Sequence, residues 1–153
     1  MSQVFVSGHK SPDTDSIAAA LSYSYLKRRL GMDAVAVRAG EINKESRFAL
    51  DYFNLEEPIL VTSVERKNPE DEKQKVILVD HNESKQTIDG MDDAEVLEII
   101  DHHRFGDFES ENPIFILVRP VGCVNTVIYG LYKTNHIKPS REIAGIMLSA
   151  IIS

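Results

Sequence analysis

Residues 4–16 read VFVSGHKSPDTDS. Val4-Phe5-Val6 is a short β-branched and aromatic run that stops at Ser7-Gly8, as a buried strand does. Beyond it, Ile17, Ala20, Leu21, Tyr25 and Leu30 recur at helical spacing from Ser16 to Leu30. Thr14 or Asp15 can cap that helix, and Gly31 stands where a left-handed residue ends it. This strand–loop–helix unit sets the reading of the rest. Ala34 to Val37 predicts a second strand, closed by Gly40. Glu45 to Phe53 predicts a helix that turns Phe48, Ala49, Tyr52 and Phe53 toward the core. Ile59-Leu60-Val61 predicts a third strand, and Arg66 to Gln74, polar and holding Pro69, an exposed loop. Lys75 to Val79 and Val96 to Ile100 are apolar enough to be buried on two faces. Ile114 to Val118 reads as an edge strand, followed by helices at Val124 to Thr134 and from Ser140 to the end. Strands alternating with helices imply right-handed crossovers and an α/β fold: a doubly wound, mostly parallel sheet with helices on both faces.

The 153 residues fit one domain with a proper core. Net charge is −7, and the stretch from Glu83 to Glu111 holds ten acids against two bases, a local −8. Such a surface repels phosphate backbones, which argues against a nucleic-acid partner. The single cysteine, Cys123, excludes an internal disulfide and fits a reducing cytosol. The start, MSQVFVSGHK, lacks the marks of a signal peptide. The longest near-apolar run, Ile143 to Ile152, falls far short of the roughly 20 residues of a membrane span. A cytoplasmic domain with no membrane partner is expected.

Ligands of open α/β sheets collect at the carboxyl ends of strands. Three expected strands end in candidate metal ligands: His9, Asp13 and Asp15 after the first, Asp80-His81-Asn82 after the fourth, and Asp101-His102-His103 after the fifth. Each has a plainer reading alone. Asp13 and Asp15 suit a helix cap, Asp80 suits a turn, and His9 suits an ordinary loop. Together, imidazoles and carboxylates without thiolate suit Mn²⁺, Co²⁺, Fe²⁺ or Mg²⁺. Four clustered carboxylates would repel one another without cations. There are ligands enough for two metals, the clamp used for displacement at phosphorus. His81, one residue past Asp80, is expected to point to the opposite face, in a structural role or one that supports a ligand from behind. His136 reads as solvated, Cys123 as a small buried hydrophobe, and Met32, Met91 and Met147 as packing residues. The Ala150-Ile151-Ile152 end of the last helix is expected to be buried.

The runs His9 to Asp15, Val79-Asp80-His81-Asn82-Glu83 and Asp101-His102-His103-Arg104 stand in the order and spacing of the DHH phosphoesterases. More narrowly, the chain resembles the N-terminal domain of the family II, manganese-dependent inorganic pyrophosphatases. Ala49 to Phe53, Pro120 to Cys123 and Ala144 to Ser153 support this. The resemblance implies hydrolysis of pyrophosphate to two phosphates by two metals and a bridging water. The metals would be Mn²⁺, with Co²⁺ or Mg²⁺ possible. It implies that His9 and Asp13 ligate one metal, Asp15 and His102 the other, and that Asp80 bridges both. His103 becomes the catalytic histidine that touches the phosphate, and Asp101 orients a histidine ligand from behind. A homodimer is implied too. Members of the family continue into a C-terminal domain that brings Lys and Arg to the substrate. They also carry an Asp ligand directly after the run ending here at Ser153. Residues 1–153 are therefore expected to be a metal-binding catalytic domain truncated before a substrate-binding domain, poorly active alone. Two alternatives stay open: a DHH-type phosphodiesterase or exonuclease on nucleotides or short oligonucleotides, and a catalytically silent metal-binding module.

Overall fold

A computed structural model of the chain describes residues 2–153. The elements are β1 (Val4–Ser7), α1 (Thr14–Arg29), β2 (Ala34–Arg38), α2 (Lys44–Tyr52), β3 (Ile59–Leu60), β4 (Lys75–Val79), β5 (Glu95–Asp101), β6 (Phe115–Val118), α3 (Val124–Thr134) and α4 (Arg141–Ile152). Two 3₁₀ turns, Ser84–Gln86 and Met91–Asp93, lie between β4 and β5. All six strands are parallel, in the order β3-β2-β1-β4-β5-β6.

Strand alternation divides the core. Val4, Val6, Ile77 and Val79 face a layer built from α1, α3 and α4. Val76, Leu78 and Ile99 face a second cluster with Val64, Ile88, Met91, Phe108 and Ile114. Residues of successive parity on one strand point to opposite faces, so two-sided burial of β4 follows from its unbroken apolar run. The second face is roofed by loops and the two 3₁₀ turns, not by α-helices. The expected helices on both faces thus reduce, on that side, to those short turns, because the β3–β4 and β4–β5 connections hold too few apolar residues at helical period.

Several local expectations shift. Of the three cap candidates, Asp13, Thr14 and Asp15, it is Asp13 that caps α1, accepting from the Ser16 N–H. Gly31 takes φ +98° at the end of α1, as its position demands. Asn43 caps α2, and the helix buries Ser46, Ala49 and Leu50, the last two against α1 and α4. Phe53 packs against the same cluster. Phe48 and Tyr52, four residues apart, instead stack on each other outside, 70% and 72% exposed. The start of β5 is only partly buried, because β6 pairs with it from Glu98 onward. Of the last helix's end only Ala150 is buried; Ile151 and Ile152 are exposed. Helical period puts Ala150 on the inner face with Ile146 and turns its two successors outward.

Candidate metal centre

The strand order reverses direction between β1 and β4, and there the loops after β1, β4 and β5 meet. An open parallel sheet makes its crevice at that switch point. Gly8 lets the first loop in: a Cβ there would lie 1.8 Å from Ser16 Oγ, which accepts the His9 N–H at 3.0 Å. Asp80 follows β4 with φ +64°, a left-handed backbone that Asp tolerates better than most residues. That turn directs its carboxylate into the crevice, where it is 1% exposed.

Around Asp80 the other predicted residues divide into two halves. On one side, His9 Nε2 lies 3.3 Å from Asp80 Oδ2 and 3.7 Å from Asp13 Oδ1. On the other, His102 Nε2 lies 2.9 Å from Asp80 Oδ1 and 3.5 Å from Asp15 Oδ2. Both rings donate Nδ1–H to backbone carbonyls, His9 to Lys10 at 2.6 Å and His102 to Val121 at 2.7 Å. Each Nε2 is thereby turned to the carboxylates, the arrangement in which a neutral imidazole ligates a metal. Asp80 Oδ2 is buried without a hydrogen-bond partner among the described residues. Hard and borderline donors, correct tautomers and an orphaned carboxylate oxygen fit divalent cations.

Asp101 lies close to Asp80 and both histidines, yet its oxygens are occupied. Oδ1 accepts from the His102 and His103 backbone N–H groups and from His103 Nδ1 at 2.8 Å. Oδ2 accepts from Asn82 Nδ2 at 2.7 Å. It therefore orients the ring of His103, the expected catalytic histidine, rather than the ring of a histidine ligand as the resemblance implied. Asn82, quoted in the motif but given no role, is fully buried and also ties Arg104 O and the Gly106 N–H. His103 is half exposed, its Nδ1 committed to Asp101.

His81 is buried, and its ring meets that of His9 edge-on with centroids 6.3 Å apart, not the opposite face. The left-handed turn at Asp80 breaks the alternation on which that expectation rested. Burial holds the His81 pKa down to about 4, so it stays neutral and buttresses His9. Cys123 is buried, but its Sγ also donates to Asp15 Oδ1, a contact no local pattern signalled. His136 is exposed in a turn, and the three methionines pack in the two cores.

The metal-free centre charges its histidines. Burial opposes an imidazolium at His9, but Asp13 and Asp80 outweigh it and raise the pKa to about 10. The Asp80 hydrogen bond, above all, raises His102 to about 9. Asp80 is pushed up by burial yet held down to about 2 by His102 and His9. Raised histidines stabilise the fold fully below their unfolded value of about 6.5 and lose that contribution as pH climbs through 9–10. The lowered Asp80 contributes above about 4 and loses its contribution as pH falls through 2. The metal-free chain should therefore melt lower as pH rises from 6.5 to 10, by on the order of 5 °C. Its Mn²⁺ affinity should rise over pH 6 to 8.5, because binding displaces both protons. Melting in chelator and in Mn²⁺ across that range checks both slopes; a metal-free melting temperature that climbs toward pH 10 contradicts the pairing.

Residues 3–151 match the family model described as DHH family, N-terminal domain. A protein of Exiguobacterium sp. named "Probable manganese-dependent inorganic pyrophosphatase" is 50% identical over all of this chain and 48% of its own length. A Bacillus licheniformis protein of the same name is 51% identical over the same shares. A crystal structure described as "Methanococcus jannaschii putative family II inorganic pyrophosphatase" superposes with a TM-score of 0.85 at 38% identity. It is matched over 99% of this chain and 48% of its own. An exopolyphosphatase-related protein of Bacteroides fragilis shares the fold alone, at a TM-score of 0.63 and 16% identity. The chain spans about half the length of the curated relatives it matches.

Proposed function

The chain belongs to the DHH family, and from that membership we propose that it is the metal-holding half of a manganese-dependent inorganic pyrophosphatase. One observation carries the reading: Asp80 stands between two histidine–carboxylate pairs, each of its oxygens facing one pair. His9 and Asp13 would hold one cation, Asp15 and His102 the other, with Asp80 shared. Two divalent cations supply positive charge and an activated water for displacement at phosphorus. The chain's own groups do the rest. Asp101 and Asn82 fix the ring of His103 through Nδ1, leaving Nε2 to carry a proton to the departing phosphate oxygen. Water adds to one phosphorus, the bridging P–O bond breaks, and two phosphates leave.

Cations to clamp a polyanion are scarce here. Lys10 is engaged with Asp89 at 2.6 Å, and Arg104 is exposed, 3.9 Å from Glu83. The resemblance assigns Lys and Arg for the substrate to a C-terminal domain, and a further carboxylate ligand to the position directly after the run ending at Ser153. The Ser153 hydroxyl donates to Glu45, which also accepts from Thr14 beside Asp13, so the end of α4 is tied to the centre. We also propose a homodimer. The unpaired outer edge of β6, with Phe115, Ile116 and Val118 exposed, supports it. Cytosolic residence suits the reduced thiol. No helix of the described residues is long and apolar enough to cross a membrane.

The test joins binding to turnover. Mn²⁺ at about 100 times its Kd should add about 2.7 kcal/mol of stability, reversed by chelator. Phosphate release from pyrophosphate should be low for this chain alone and appear when a relative's C-terminal half is added in trans. An unchanged melting curve with Mn²⁺ would sink the metal centre; cleavage of a dinucleotide but not pyrophosphate would replace the substrate.

A further inference from the structure

The start of α3 lacks a cap of its own. Cys123 occupies the cap position but makes no side-chain bond to the helix. The missing acceptor comes from α1, more than a hundred residues earlier in the chain. Val124 N–H donates to Asp15 Oδ2 at 2.9 Å. Asp15 Oδ1 receives Cys123 Sγ at 2.8 Å, Asn125 Nδ2 at 2.6 Å and the Asn125 N–H at 3.3 Å. Asn125 Nδ2 also reaches the Asp15 backbone carbonyl at 3.0 Å, while its own Oδ1 accepts from Ser22. Asn125 is completely buried. A polar side chain there survives because both its amide hydrogens and its oxygen have partners.

The consequence for Asp15 is asymmetric. Oδ1 is filled by three donors from α3, and Oδ2, with one, is the oxygen that faces His102 Nε2 at 3.5 Å. The positive end of the α3 dipole also favours the ionised carboxylate. We propose that Asn125, with Cys123 beside it, is a positioning residue for the His102–Asp15 half of the metal centre. It clamps Asp15 through Oδ1, so that only Oδ2 can bind a cation. The inference rests on the metal-centre reading and assigns a role to residues outside the three DHH-type motifs. Outer partners of metal ligands typically change affinity by about 10–100-fold. Among the described residues no such clamp serves the His9–Asp13 half: the Asp13 side chain is 60% exposed and its Oδ1 caps α1.

The effect should therefore fall on one binding step only. Free Mn²⁺ is followed by its electron paramagnetic resonance signal during titration of the 153-residue chain, the Asn125→Ala and Cys123→Ala variants, and His102→Gln as a marker of the affected step. Circular dichroism melts of the metal-free proteins control for folding. Asn125→Ala should weaken the step that His102→Gln removes by about 10–100-fold and leave the other within about twofold. Asn125→Ser, which keeps a donor to Asp15, should recover part of the loss. Should Asn125→Ala not fold, Cys123→Ala carries the test, with a smaller loss at the same step and recovery by Cys123→Ser. A folded Asn125→Ala protein that binds both ions as the parent does, or loses both steps equally, overturns the positioning role. A parent chain that binds no Mn²⁺ at all overturns the metal-centre reading instead, and this inference with it.

Discussion

Asp80→Asn should abolish Mn²⁺ binding in both halves of the centre, by more than about 1,000-fold at each. Changes to outer partners alone cost about 10–100-fold, and Asp80 is a buried carboxylate that each half contacts directly, through Oδ2 on the His9 side and Oδ1 on the His102 side. No other residue in the centre is shared in this way. Asparagine keeps the size and tolerates the left-handed backbone at φ +64°, so the fold should survive. The same substitution removes the charge that raises His9 and His102, whose pKa values should fall back toward 6.5. Titration of the variant followed by NMR of the histidine rings, beside a Mn²⁺ binding isotherm, checks both effects. Retention of either binding step within tenfold of the parent would mean that Asp80 is not shared.

The paired histidines should separate binding from turnover. In a protein that joins this chain to a second half like that of its relatives, His103→Gln should slow pyrophosphate hydrolysis by roughly 10²–10⁴-fold. Its Mn²⁺ affinity should stay within about threefold, since losing an exposed imidazole removes no cation ligand. His103 is bonded to Asp101 rather than to the Asp80 carboxylate, from which its Nδ1 lies 3.8 Å. His102→Gln should remove one binding step outright, because its Nε2 sits between Asp80 and Asp15. The two rings are 4.2 Å apart, so a nonspecific disturbance would affect both variants alike. Equal loss of Mn²⁺ in the two would show that the roles are not divided.

Much of this was legible without coordinates. The parallel α/β order follows from apolar runs alternating with helical periods, since a strand buried on both faces must be apolar throughout and a helix need be so on one side. Val76 to Val79 and the inner face of α1 needed nothing more. The three ligand-bearing runs were legible because each directly follows such a strand, and parallel strands deliver their carboxyl ends to one edge. Helix phase was less so: Phe48, Leu50 and Tyr52 all read as core candidates, and packing against α1 and α4 took Leu50 and left the two aromatic rings outside.

Tertiary structure alone settled the relations between side chains distant in sequence. That Asp101 holds His103, that Asn82 locks Asp101, and that Cys123 and Asn125 grip Asp15 are facts of orientation across three loops and a helix start. A hydrogen bond depends on angle and on distances of a few tenths of an ångström, and residue spacing along the chain encodes neither. His81 shows the limit most plainly. Its supporting role could be read from the sequence, but a single left-handed residue before it decided which face its ring would take.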